Sequence, residues 1–326
     1  MLDRFHVFAL AAAVVGTSLA AHPAAAEDFP TRPVTIIVAS TAGGGTDIVS
    51  RIIAAQLSAQ VGQPFIVDNR PGAGSVTGTA FAANAAPDGY TLQTGLNASM
   101  AVNPSLFANL PYDPIRDFAP VGMLAEFPFV VVVSKNFPAH SIQELIALAK
   151  ARPGEINYAS AGNGTGQHLS MELFKLMTGI KLTHVPYRGA APAYTDVISG
   201  QVPVFIDNLA GALGQIKGGN VRALAVTGRQ RSPLLPDVPT VEEAGVPGYE
   251  YYTWFGLWAP KKTPQPILDK LHAEVKKALA DPAVKDRIIA AAGEPLDMPV
   301  ADIEPFLKAE IAKWADVVKR AGVTVE

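Results

Sequence analysis

The chain has 326 residues, 49% of them hydrophobic and 17% charged, with a formal net charge of −3. That is a globular composition long enough for two α/β lobes with their own cores, and its lack of any basic block excludes a nucleic-acid or anionic-membrane surface. The absence of cysteine excludes disulfides, thiolate metal sites and cysteine nucleophiles together.

Arg4 and the amino terminus precede an apolar stretch from Val7 to Ala21, followed by His22-Pro-Ala-Ala-Ala26. Residues 1–26 therefore read as a secretory signal peptide cleaved after Ala26, the stretch being short for a membrane span. No later stretch is apolar enough to span, so no membrane insertion is expected after cleavage. Val34 to Ala39 is a short β-branched run bounded by a glycine loop, hence a buried strand. The loop Thr41-Ala42-Gly43-Gly44-Gly45-Thr46-Asp47 opens a helix on which Ile48, Val49, Ile52, Ile53 and Leu57 recur at helical spacing. Glycines let backbone approach a ligand, Thr46 or Asp47 can cap the helix, and free N–H groups with the helix dipole favour an anion. The loop holds no Lys or Arg, so main-chain donors and hydroxyls would do the binding, as suits a carboxylate that must be released.

Strand Pro64 to Asp68 runs into Asn69-Arg-Pro-Gly-Ala-Gly-Ser75, then a helix from Val76 to Ala85 and a strand from Tyr90 to Thr94. Strands alternating with helices at this spacing predict βαβ units and a parallel sheet. Asn103 to Pro120 reads as connecting loop, and Phe127 to Ser134 as the strand crossing into a second lobe. There the opening unit returns after a helix that starts at Ser141. Strand Ile156 to Ser160, loop Ala161 to His168 and a helix with Leu169, Leu173, Leu176 and Met177 inward repeat it. Strand Lys181 to Val185 leads into Pro186-Tyr-Arg-Gly-Ala-Ala-Pro192, which answers the Asn69 turn; a helix from Ala193 to Ser199 and a strand from Val202 to Ile206 end at Asp207. After Val221 to Thr227, the aromatic run Tyr249 to Pro260 predicts a strand returning to the first lobe, with Trp254 and Trp258 as core, and three helices close the chain. The expected fold is α/β and two-lobed, each lobe a small mostly parallel sheet flanked by helices, with a ligand cleft between them. The first lobe takes residues 27–127 plus 249–326, the second 128–248.

Tyr158-Ala-Ser160-Ala-Gly162 nearly imitates the nucleophile elbow of α/β-hydrolases, which keeps an esterase using Ser160 as the alternative function. Its first glycine is missing, and the order serine, acid, histidine fails because His168 and His184 precede Asp207. Ser160 reads better as a hydroxyl donor to a ligand. Gly162-Asn163-Gly164-Thr165-Gly166 falls short of a dinucleotide fingerprint, no phosphate loop occurs, and the histidines lack metal spacing, so neither cofactor nor metal is expected. Arg188 and Arg70 occupy equivalent turns. Either could clamp a carboxylate, but the duplication favours tying the turn to its own lobe. Asp207 at a strand end suits a ligand nitrogen or a helix cap.

Ala42-Gly-Gly-Gly-Thr-Asp47, Asp68-Asn-Arg-Pro-Gly-Ala-Gly74, Pro87-Asp-Gly-Tyr-Thr-Leu92, Leu110-Pro-Tyr-Asp-Pro114, His184-Val-Pro-Tyr-Arg-Gly189, Asp237-Val-Pro-Thr240 and Trp254-Phe-Gly-Leu-Trp258 together resemble the Bug family, the TctC-type substrate-binding proteins of tripartite tricarboxylate transporters. The resemblance is collinear over the whole mature chain. It implies a periplasmic receptor with no chemistry of its own, a monomer that holds a small carboxylate (di- or tricarboxylate, aromatic acid or amino acid) and delivers it to membrane permease subunits. A sensor partner of a histidine kinase would share the same fold. The family's binding loops carry over to Thr41–Asp47, Asn97 and Ser99 in the first lobe. In the second they carry over to Ser160, Asn163, Gly164, Thr165, Gly166, His168, Arg188, Ala190 and Asp207. Ser40-Thr41-Ala42 departs from the family, where a proline is common before the glycines.

Overall fold

The computed structural model describes residues 29–324, so the predicted signal peptide and its cleavage site lie outside the described residues. β1 (Val34–Val38) pairs in parallel with β2 (Phe65–Asn69) on one side and β3 (Thr91–Leu96) on the other. β1 is buried at all but Thr35, as a central parallel strand covered on both faces must be. α1 (Gly45–Val61) follows β1, and α2 (Val76–Ala83) follows β2. After β3 come a π-helical turn (Ala98–Val102) and the short α3 (Asn103–Leu106), the latter opening the stretch that the sequence reads as connecting loop.

β4 (Phe118–Ser134) is the frame of the molecule. Its first part pairs antiparallel with β9 (Tyr252–Pro260), which pairs in turn with β3 and so completes the first lobe's sheet. Its last residues, Phe129 to Ser134, lie between β7 (Val204–Asn208) and β8 (Val221–Val226), both antiparallel, and so start the second lobe's sheet. β7 continues in parallel to β5 (Asn157–Ser160) and β6 (Thr183–Pro186). The expected crossover strand is therefore nine residues longer toward the N-terminus. The sequence obscures it because Pro120, Gly122 and Glu126 interrupt its apolar run, and the register shifts twice against β9, between Pro120 and Gly122 and between Met123 and Ala125.

Second-lobe helices are α4 (Ile142–Ala151), α5 (Gly166–Thr178), α6 (Ala190–Ser199) and α7 (Leu209–Lys217). Ser141 caps α4 by accepting from Glu144 N–H at 3.1 Å, as its sequence pattern predicts. Met177, expected inward, is 41% exposed, in the C-terminal turn of α5. α8 (Gln265–Ala280), α9 (Pro282–Ala290), the two-residue β10 (Glu294–Pro295) on β4, and α10 (Val300–Ala321) end the chain.

α10 packs on the π-helical turn and α3 of the first lobe and also on α5 of the second. Glu310 on α10 accepts from Trp254 Nε1 at 2.9 Å and from Trp314 Nε1 at 3.1 Å, fastening the helix to β9. Trp254, Trp258 and Trp314 are each at most 2% exposed, the core role expected for the first two; burying each removes a large apolar area from water. Among the described residues no helix is long and apolar enough to cross a membrane.

Candidate functional site

In an α/β sheet the loops at strand carboxyl ends are the ligand-facing ones, and here those of the two lobes meet. At the β1 end, Asp47 Oδ2 turns back to accept from Gly43 N–H at 2.9 Å, while its Oδ1 accepts from Asn69 Nδ2 at 2.9 Å and pairs with Arg51. Burial alone would raise the pKa of Asp47, but the bonds from Arg51, Gly43 and Asn69 outweigh it and hold the carboxyl below the usual range. Asp47 thus shapes the loop and is spent there. α1 starts at Gly45 with Gly44 as N-cap and no side-chain cap, so its first-turn N–H groups are left for another acceptor.

Beyond β3, Asn97 Oδ1 accepts from Ala98 N–H at 2.9 Å and its Nδ2 reaches Tyr251 Oη at 3.3 Å. That leaves the Tyr251 proton available. Ser99 is buried, and its hydroxyl is engaged with the backbone of Leu96.

The second-lobe loop is held from behind by two histidines. His168 Nδ1 accepts from Gly164 N–H at 3.1 Å; Ser160 Oγ lies 2.6 Å from His184 Nε2 and accepts from Gly162 N–H at 3.1 Å. The two imidazoles stack at 3.8 Å between centroids. Burial pushes both down to about 4, helped by Lys175 and, for His184, by His168 itself, so both are neutral at pH 7. Thr165 caps α5 by accepting from His168 N–H and donates to Gly162 O at 2.7 Å. At Gly166 a side chain is impossible without a shift: a Cβ would stand 2.6 Å from Tyr251 Oη and 2.9 Å from Phe129 Cζ. Glycine lets the N-terminus of α5 touch the strands that join the lobes.

Between these ends lies a cavity of about 240 Å³. The first lobe contributes Gly45, Thr46, Leu96, Asn97, Ala98 and Val102, the second Gly164, Gly166, Gln167, Leu169 and Asn208, and Phe129, Tyr251, Thr253 and Phe255 form its floor. None of these side chains is charged. A hollow of about 260 Å³ beside Arg116, Lys261 and Lys262 is slightly larger, but one lobe alone forms it.

Of the residues named from sequence, Gly45, Thr46, Asn97, Gly164 and Gly166 are brought together at this cavity. Thr41, Ala42, Gly43 and Gly44 are exposed on the approach loop, and Asn163 is exposed likewise. Ser160 is fully buried with its oxygen engaged, so it is not a free donor. It pairs with His184 but no acid completes a triad: Asp207 Oδ1 instead accepts from Gln167 Nε2 at 3.0 Å. Thr165 and His168 support the loop, Arg188 is exposed with no ion pair among the described residues, and Ala190 merely opens α6. Asp207 is 2% exposed, behind the wall and out of reach of a ligand nitrogen, and burial pushes its carboxyl above the usual range. Arg70 pairs with Asp68 and stacks on Phe81, tying its turn to its own lobe. Sequence reasoning missed the floor. Its signal was there: Tyr251, Thr253 and Phe255 recur with the period of two that puts residues on one face of an extended strand.

Two α/β lobes closing helix N-termini on an uncharged cleft define a solute receptor of the periplasmic-binding type. The model of the tripartite tricarboxylate transporter family receptor, TctC, matches residues 49–323, and the chain belongs to that family. Protein BugT of Bordetella pertussis is 37% identical over 326 residues, covering all of both chains. An R. palustris protein solved with adipate is 40% identical with a TM-score of 0.80, covering 91% of this chain and 99% of its own. MatC from Rhodopseudomonas palustris, with bound malate, is 35% identical with a TM-score of 0.75, over 89% of this chain and 100% of its own.

Proposed function

We propose that this protein captures a small carboxylate between its lobes and hands it to the membrane permease subunits of a tripartite transporter. One observation carries the reading: the uncapped N-terminus of α1 and the N-terminus of α5 face one cavity from opposite lobes, with no charged side chain in its wall. Main-chain N–H groups at helix N-termini compensate a carboxylate by direct donation and by the dipole, without the grip of a buried Arg pair. The adipate and malate complexes of the relatives support the ligand class. Gly45, Thr46, Asn97, Gly164 and Gly166 are the contacts, with Tyr251 and Asn208 added. The lobes divide as residues 27–127 plus 249–326 and 128–248, β4 passing between them. The working form starts at Glu27 in the periplasm, after cleavage behind Ala26, as a monomer with no cofactor and no reaction of its own.

A thermal-shift panel on the chain from Glu27, unfolded and refolded to strip carried-over ligand, tests this. An acid at a hundred times its Kd adds about 2.7 kcal/mol, and its neutral amide adds nothing. Equal shifts by acid and amide, or ester turnover that a Ser160→Ala variant loses, would refute the reading.

A further inference from the structure

The cavity wall is rich in donors. Asn208 commits its Oδ1 to Ala210 N–H at 3.0 Å, which leaves its Nδ2 for a ligand, and the first-turn N–H groups of α1 and α5 are donors as well. Gln167 is built the other way. Its Nε2 donates to Asp207 Oδ1 at 3.0 Å, and Asp207 is buried behind the wall, outside the cavity lining. The oxygen and nitrogen of an amide diverge from one carbon, so anchoring Nε2 on Asp207 turns Oε1 away from Asp207, and Gln167 itself lines the cavity. The flipped amide would set Oε1 against the carboxylate. The second oxygen of Asp207 is buried near the Tyr194 hydroxyl, with no hydrogen-bond partner among the described residues.

We propose that Asp207 positions Gln167 as the hydrogen-bond acceptor of the cleft, and that the cleft therefore prefers a carboxylate bearing a hydroxyl over the unsubstituted acid of the same length. A hydroxyl fits better than an ammonium because no carboxylate lines the cavity to offset a cation. The inference rests on the carboxylate reading above and narrows it. Without the hydroxyl, Gln167 Oε1 is desolvated and unpaired in the closed cleft, and that selects between otherwise equal ligands.

Calorimetric titration of the chain from Glu27 with malate and with succinate tests it. The expected result is malate binding roughly ten- to a hundredfold tighter. Gln167→Met removes the acceptor, together with the donor to Asp207 Oδ1, and brings the ratio near one, because malate loses its partner and succinate no longer buries an unpaired oxygen. Asp207→Asn lets the amide turn and lowers the ratio in the same way, and the double variant adds nothing further. Equal wild-type affinities, or a ratio that Gln167→Met leaves intact, overturn the proposal while the carboxylate reading stands. If neither these acids nor any other small carboxylate binds, both readings fall.

Discussion

Gly166→Ala probes how the second lobe's donors are placed. The new Cβ would meet Tyr251 Oη at 2.6 Å, where ordinary contact begins near 3.4 Å, so something must give by about 0.8 Å. Tyr251 cannot easily yield. It is 1% exposed, wedged edge-on against Phe129 at 4.8 Å and Trp314 at 5.4 Å between centroids. The start of α5 moves instead, and overpacking of this kind costs roughly 1–3 kcal/mol of stability. The same displacement stretches donor distances at α5 from about 2.9 Å past about 3.5 Å, where a hydrogen bond is lost. Each such bond to a charged acceptor is worth about 1.5–3 kcal/mol, so carboxylate affinity falls about tenfold to a hundredfold. Chemical denaturation and calorimetry measure the two effects. Gly214→Ala is the control: in the middle of α7, with nothing within 4 Å of its Cβ, it should stabilise by about 0.5–1 kcal/mol and leave affinity alone. Unchanged affinity in Gly166→Ala would refute the placement of α5 in the site.

Acid should loosen the second-lobe loop. His168 and His184 titrate near 4 in the folded chain against 6.5 unfolded, so the unfolded chain takes up protons first as pH falls. Their contribution is whole above pH 6.5 and shrinks as pH drops through the window down to about 4, by about 3 kcal/mol for the first to charge. Denaturation curves at stepped pH should therefore show a slope that His168→Gln reduces; an unaltered slope contradicts the assignment. Arg188→Ala should change affinity by less than about twofold and stability by less than about 0.5 kcal/mol, because the side chain is exposed. A tenfold affinity loss on titration would restore it as a carboxylate clamp.

The repeated strand, glycine loop and helix around Gly43–Gly45 and Gly162–Gly166 was legible because glycine loops and β-branched runs are local signals. It located both helix ends that meet at the cavity. What a side chain at a loop edge faces was not legible. Ser160 ends β5 and Asp207 stands one residue before the end of β7, yet both are buried off the cavity, Ser160 against His184 and Asp207 under Gln167, since the face is set by sheet register and not by position in the loop. α7 escaped notice because Gly211 and Gly214 weaken its helical signal; tertiary packing under β4 and β8 supplies what propensity lacks. The long reach of β4 was hidden by its own bulges. Gln167 and Asn208 each adjoin a residue named from sequence, and only the amide bonds in the structure tell which neighbour faces the ligand.

The central claim is that an acid is held by helix N-termini from both lobes. Amide resonances followed during titration with a small carboxylate test it most directly. The largest downfield proton shifts are expected at Gly45, Thr46, Gly166 and Gln167, all saturating together with one Kd. Shifts centred instead on Arg116, Lys261 and Lys262, or confined to one lobe, would contradict it.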